Sequence, residues 1–71
     1  MAFIAYFVHT GDEEALTRAH AGDTKEEATN AAYDELVGFV QDSVGGRLEA
    51  GRAIHADLTE GNIDLRCNEL A

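Results

Sequence analysis

The sequence predicts an α+β fold, a two-layer sandwich in which one amphipathic helix packs across a small antiparallel sheet. Three observations predict it: an apolar β-forming segment at the start, one long helical segment in the middle, and two alternating segments near the end. The predicted order of elements is ββαββ. This arrangement buries the apolar stripe of the helix against one face of the sheet. Residues 1–71 are expected to form a single domain, because a chain of this length has room for one modest core.

The central helix is predicted over 25–44 and is ended by the Gly-Gly pair that follows. Thr24 and Glu27 have the spacing of a capping box, in which each side chain accepts a hydrogen bond from a free backbone N–H at the helix start. At about 100° per residue one face of the helix is apolar. Leu36 and Phe39 lie near the centre of this stripe and are predicted to be core anchors, with Ala28, Ala32 and Val40 beside them.

Four strands are predicted around this helix. Segment 2–9 is apolar at both alternate sets of positions, which is typical of a central strand. Segment 15–21 alternates more weakly and predicts a strand that returns antiparallel to the first. After a loop over 47–51, segments 52–59 and 63–68 alternate apolar with polar residues and predict a hairpin. A helical turn is the alternative for the last of these segments.

The net charge is the strongest feature of the composition. Five Lys and Arg residues stand against 14 Asp and Glu residues, which gives a formal net charge of −9. Direct nucleic-acid binding through phosphates requires the opposite sign, and anionic membrane surfaces are excluded for the same reason. No apolar run approaches the roughly 20 residues of a membrane-spanning helix. The single Cys67 cannot form an internal disulfide, so the cytoplasm is the expected location.

No pattern of residues predicts an enzyme. Three histidines and one cysteine lack the short spacings that zinc ligands usually have. The carboxylates at 12–14 lack the surrounding spacing of a calcium-binding loop. No nucleophile lies near an orienting histidine and carboxylate in the sequence, and the chain leaves little room for a pocket. We therefore expect no catalytic activity, no cofactor and no metal.

The polar side of the predicted helix carries carboxylates that have no Lys or Arg four residues further on, where the usual surface ion pair would form. Like charges along this side repel one another, a cost that a purely structural helix could avoid. A basic partner surface is therefore predicted, whereas an adaptation to high salt is the alternative. The predicted partner-binding residues are Glu27, Asp34, Glu35 and Asp42 on the helix, with Asp12, Glu13 and Glu14 as a secondary patch.

The start of the helix resembles a known family. The run Gly22-Asp23-Thr24-Lys25-Glu26-Glu27-Ala28, followed by Asn30-Ala31 and Leu36, resembles the GDT-x-EEA-x-x-NA segment of HicB-type antitoxins. Members of that family have a strand-rich fold like that of double-stranded-RNA-binding domains, and they neutralise a small basic RNA-cleaving toxin. The resemblance implies such a toxin as partner. The proline-containing strand and turn of the family have no counterpart, since the chain contains no proline.

In size and charge the chain is similar to the small acidic anti-CRISPR proteins that phages encode. Several of those proteins present carboxylates to the basic nucleic-acid channel of a surveillance complex. This similarity implies an inhibitor that mimics nucleic acid and blocks target DNA binding, and we favour it over the antitoxin. In both cases the partner is a basic nucleic-acid-binding protein or complex. A salt-adapted structural domain without such a partner is the remaining alternative, and both a monomer and a homodimer stay open.

Overall fold

A computed structural model describes residues 2–70 and contains three strands and two helices. The sheet has the strand order β2-β1-β3 and both pairings are antiparallel. The α+β class is confirmed, but the chain order is ββααβ, since a second helix replaces the predicted third strand. The elements are β1 (Ala2–His9), β2 (His20–Gly22), α1 (Lys25–Val44), α2 (Arg47–Glu60) and β3 (Ile63–Leu70).

Strand β1 is the central strand, as its apolar sequence predicts. Its residue Ala5 pairs with His20 on one side and with Cys67 on the other. Ala5 and Phe7 point towards the helices and are buried. The alternate residues, among them Tyr6 opposite Arg66, lie on the other face of the sheet. Both helices therefore cover the same face, and the fold has two layers.

The predicted strand over 15–21 is formed only in part. Ala15 makes a single bridge to Val8, and regular pairing resumes only in β2. Between them the buried Thr17 replaces a backbone group, because its hydroxyl oxygen accepts a hydrogen bond of 3.1 Å from the N–H of Phe7. This side-chain bond satisfies the Phe7 N–H where the regular pairing is interrupted, and β2 itself is only three residues long.

Helix α1 has the predicted bounds and the predicted N-cap. The hydroxyl of Thr24 accepts a hydrogen bond of 3.1 Å from the N–H of Glu27. In a usual capping box the Glu27 carboxylate would accept a hydrogen bond from the N–H of Thr24. Here it accepts one of 3.1 Å from the N–H of Asp23, one residue earlier. Gly45, with φ 92°, adopts the left-handed conformation that commonly ends a helix. The capping signals in the sequence therefore fix both ends of this helix.

The predicted loop over 47–51 and strand over 52–59 are wrong, because these residues form α2. Ala50 and Ile54, four residues apart, share one helical face, and both are buried. The apolar residues of a short segment fit the periods of both a strand and a helix, so the sequence pattern alone does not separate them. Packing against α1 decides in favour of the helix.

Strand β3 confirms the predicted strand over 63–68 and rules out a helical turn there. Its partner differs from the prediction: it pairs with β1, in a register that joins Ile63 to His9 and Leu65 to Phe7. The hairpin with 52–59 does not form, because α2 returns the chain to the far edge of β1 instead.

The core lies between the sheet and the two helices. Leu36 belongs to it, as predicted, whereas Phe39 is 70% exposed and its assignment to the core is wrong. Phe39 lies within about 20° of Ala28 and Ala32 around the helix axis. Those alanines lie towards the N-terminal end of α1, near the level of β2, whereas Phe39 lies further along the helix, where it and Leu16 line a groove that is open to solvent. The buried apolar cluster is Ala5, Phe7, Ala28, Ala32, Leu36, Val37, Ala50, Ile54 and Ile63.

Candidate partner-binding surface

Three of the four predicted helix-face carboxylates, Glu27, Asp34 and Glu35, have structural partners of their own. Glu27 caps α1 through the N–H of Asp23. Asp34 forms an ion pair with Arg47 at the start of α2, with 2.6 Å between Oδ1 and Nη2. Both side chains of this pair are well exposed, so solvent screens it and a charged partner can compete for it.

Glu35 is tied to the connection between β1 and β2. Its Oε1 lies 2.6 Å from Nε2 of His20, and its Oε2 accepts a hydrogen bond of 3.2 Å from the N–H of Arg18. The hydrogen bond from His20, followed by that from the Arg18 N–H, lowers the pKa of Glu35 below its ordinary value. Glu35 therefore stays ionised in mildly acidic solution and holds this irregular segment against α1.

Among the predicted helix-face residues, Asp42 makes the fewest contacts with other polar groups of the protein. It is exposed, and within residues 2–70 its side chain forms no hydrogen bond and no ion pair. It lies three residues after Phe39, so the two side chains are neighbours on the surface of α1. This pair of a free carboxylate and an exposed aromatic ring was not evident from the sequence.

The first residue of the secondary patch is held inside its own turn. Oδ1 of Asp12 accepts a hydrogen bond of 3.0 Å from the N–H of Glu14 and lies 3.2 Å from Nδ1 of His9. The Glu14 N–H is the main cause that lowers the pKa of Asp12. The Glu14 side chain itself makes no hydrogen bond or ion pair with any other residue in the described part of the chain.

The second residue of this patch faces a different side of the molecule. Glu13 has a left-handed backbone, φ 59°, and its Oε2 lies 2.6 Å from Nη2 of Arg66. Arg66 also contacts Asp64 at 3.1 Å, and the hydrogen bonds from Glu13 and then Asp64 raise its pKa above the usual value. Because Leu65 and Cys67 face the core, Arg66 lies on the opposite face of the sheet. Glu13 therefore does not share a continuous surface with α1.

The molecule keeps a large excess of carboxylates without basic neighbours. Within residues 2–70 the arginine ion pairs involve Arg47, Arg52 and Arg66 only. In the described part of the chain, the carboxylates that have no Lys, Arg or His side chain within 4.0 Å are Glu14, Asp23, Glu26, Glu27, Asp42, Asp57, Glu60 and Glu69. Glu69 and Gly22 both pair with Phe3, so Glu69 lies at the same end of the molecule as the acidic first turn of α1.

An apolar groove opens beside Phe39, and sequence reasoning missed it. Its volume is about 130 Å³, and Phe39 forms part of its exposed wall. The groove lies between the C-terminal half of α1, helix α2 and the start of β3. Its lining residues are Leu16, Leu36, Phe39, Val40, Ile54, Asp57 and Ile63. The only sequence signal was the bulk of Phe39, which the helical period assigned to the core.

Comparison with known protein families, with curated proteins and with solved structures gives no match to this chain. Among the described residues, no group of three or more His, Cys, Asp or Glu side chains is arranged to hold a metal ion. Neither helix within residues 2–70 combines the length and the apolar content needed to cross a membrane. The function is therefore argued from the charged surface and the groove beside it.

Proposed function

We propose that this protein is a small acidic inhibitor that binds the basic nucleic-acid-binding surface of a partner protein. The favoured form of this proposal is an anti-CRISPR-like mimic of nucleic acid, which blocks the binding of target DNA. One observation carries it: a domain with a net charge of −9 leaves eight carboxylates without a basic side chain within 4.0 Å in residues 2–70.

The charge makes this surface effective at a distance. Exposed charges interact over a Debye length of about 8 Å at physiological ionic strength, so neighbouring carboxylates on α1 add to one local potential. Such a potential steers a cationic partner towards the surface and makes the association rate sensitive to salt. A cationic channel that normally holds phosphates is the kind of surface that this potential fits best.

The internal bonds indicate how the four helix carboxylates would contribute. Asp42 is free to accept a Lys or Arg of the partner at once. Asp34 and Glu35 would first release Arg47 and His20, or would contact the partner with their remaining oxygens. Glu27 keeps one oxygen for its capping bond and can offer the other. We therefore assign the largest share of direct contacts to Asp42.

The alternative is an antitoxin that neutralises a small basic RNA-cleaving toxin, supported by the HicB-like segment at 22–36. Several positions of that segment have local roles in this fold. Thr24 and Glu27 cap the helix, and a Cβ atom on Gly22 would lie 2.6 Å from the N atom of Ala28. Helix capping and close packing thus account for part of the resemblance, which leaves the mimic as the first candidate.

A competition assay tests the proposal. Purified CRISPR surveillance complexes are mixed with fluorescent target DNA, and the protein is added at about 0.05 M and about 0.2 M salt, a range over which contacts with phosphates weaken strongly. We expect the protein to displace the DNA from a susceptible complex, and to do so less well at the higher salt. The same titration against a small basic ribonuclease toxin, read by RNA cleavage, tests the alternative.

Charge-reversal variants locate the surface. Asp42→Lys should weaken inhibition, and adding Asp34→Lys with Glu35→Lys should abolish it, since like charges across an interface cost several kcal/mol. Glu60→Lys is the matched control, because Glu60 is also exposed and unpaired within residues 2–70 but ends α2. Equal loss in the control would mean that net charge alone matters. Full inhibition by a folded triple variant would remove the helix face from the mechanism.

A further inference from the structure

The groove beside Phe39 has the size of one side chain. Its volume is about 130 Å³, whereas pockets for small-molecule ligands usually measure about 300–1,000 Å³. It is open on one side, and the Phe39 ring stands at its edge with 70% of its surface exposed. Exposed aromatic rings beside a fitted hollow are the features that often dominate the binding energy of a protein interface. The groove is therefore shaped for a protein partner.

The rim of the groove is acidic. Asp57 belongs to its lining, and Asp42 and Glu35 flank Phe39 at positions i+3 and i−4 of α1. None of the described residues that line the groove is basic. On the far side of Glu35, its carboxylate holds Nε2 of His20 and the backbone N–H of Arg18. An apolar groove with carboxylates around its rim is complementary to an apolar side chain that has cationic side chains on either side of it.

We propose that the groove receives one large apolar side chain from a basic amphipathic segment of the partner, with Lys or Arg residues on either side of that side chain. This inference rests on the proposed function, because it names the chemistry of the partner at the same acidic surface. Phe39 packs against the inserted side chain, while Asp42 and Asp57 contact the flanking cations. An amphipathic helix laid in a groove is a common way to present such a pattern.

Charge argues against a second copy of this chain as the occupant. Two grooves placed face to face would oppose Asp42 and Asp57 of one copy to the same residues of the other. Each copy has a net charge of −9, and no cation lines the groove to offset the repulsion. Like charges across an interface are strongly unfavourable. A cationic partner is the occupant that the surroundings of the groove fit.

Three synthetic helical peptides of about four turns test the inference by fluorescence anisotropy and by amide shifts in NMR. The first has an apolar stripe of Leu and Phe with Lys and Arg elsewhere. The second keeps the Lys and Arg but replaces the stripe with Ser and Gln. The third keeps the stripe but replaces the Lys and Arg with Glu. We expect the first to bind best, with shifts centred on Leu16, Phe39, Val40 and Ile54.

Two protein variants complete the test. Phe39→Ala should weaken binding of the first peptide about 30-fold, the effect expected of an aromatic hot spot, and should leave the second peptide unaffected. Leu48→Ala is the matched control, since Leu48 is equally exposed on α2 but does not line the groove. The helical circular dichroism spectrum of both variants should match that of the wild type.

The outcomes separate the two proposals. If the first and second peptides bind equally and both are released by added salt, the proposal that the groove receives an apolar side chain is wrong. The proposal of an acidic inhibitor would remain valid in that case. Binding of the third peptide as tight as the first would overturn the need for a basic partner. No binding of any peptide would contradict both the groove and the charged surface. A concentration-dependent dimer that Phe39→Ala abolishes would identify a second copy as the occupant and would also overturn the inference.

Discussion

The two halves of helix α1 differ in how the rest of the chain covers them. In the N-terminal half the apolar residues are small, and Ala28 and Ala32 are completely buried beneath the sheet and its turn. In the C-terminal half the apolar residues are larger. Leu36 and Val37 are still buried, but further along Phe39 is mostly exposed and Val40 is only partly buried. The same stripe of one helix is therefore closed at one end and open at the other.

The two ends of the stripe have different neighbours. Gly22 at the end of β2 lets the backbone approach the first turn of α1, and alanines fill what space remains. Near Phe39 the neighbouring segment is the one before β2, where the N–H of Leu16 donates a hydrogen bond to the carbonyl of Phe7 and Leu16 lines the groove. The small residues thus lie where the core is closed, and the large aromatic ring of Phe39 lies exposed to solvent.

Truncating one buried and one exposed large side chain of α1 tests this contrast most directly. Leu36→Ala should destabilise the fold by about 2–5 kcal/mol, the usual range for a buried leucine. Phe39→Ala should change the stability by less than about 1 kcal/mol, as for most surface positions. Urea unfolding followed by circular dichroism measures both values. Equal destabilisation would show that Phe39 packs in the core after all, as the sequence pattern predicted.

A pair of glycine substitutions sharpens the same contrast. Gly22→Ala should destabilise by about 1–3 kcal/mol, the typical cost of overpacking, because its Cβ would meet the backbone of α1. Gly38→Ala should instead stabilise by up to about 1 kcal/mol through helix propensity, since nothing lies within 4 Å of a Cβ there. Thermal melts of the two variants should move in opposite directions. No contact in the structure explains why Gly38 is a glycine.

The pair of Glu35 and His20 joins α1 to β2, and its contribution to stability should depend on pH with a definite sign. The folded protein lowers the pKa of Glu35 below its ordinary value of 4.5. Its contribution to stability is therefore present above about pH 4.5 and is lost as the pH falls through the lower, folded value. Unfolding by urea across this range should show a slope that Glu35→Gln reduces. An unchanged slope in the variant would contradict the bond.

The sequence predicted the elements that local signals control. The capping residues Thr24 and Glu27 and the glycines after Val44 set the bounds of α1, and the apolar run of β1 indicated a central strand. Helix α2 was missed because its short apolar pattern fits two periods, and only its contact with α1 decides between them. The pairing of β3 with β1 joins segments far apart in the chain, so no local pattern could reveal it.

For the candidate surface, the sequence predicted which residues lie on it but not the contacts that they make. Glu27, Asp34, Glu35 and Asp42 could be assigned to the polar side of the helix from their spacing alone. Their internal bonds, such as that of Asp34 with Arg47, depend on how α2 and the β1–β2 connection fold back on α1. The groove depends on tertiary contacts, since it brings together Leu16, the end of α1, α2 and the start of β3.

We infer that the carboxylates and the open end of α1 serve a partner and are not an adaptation to high salt. The most direct measurement is the free energy of unfolding of the wild-type protein from about 0.1 M to 3 M NaCl, a range over which the Debye length falls from about 10 Å to below about 3 Å. We predict cooperative unfolding from a folded state already at the lowest concentration. A chain that is unfolded at 0.1 M and folds only in molar salt, as screening removes its self-repulsion, would contradict the account.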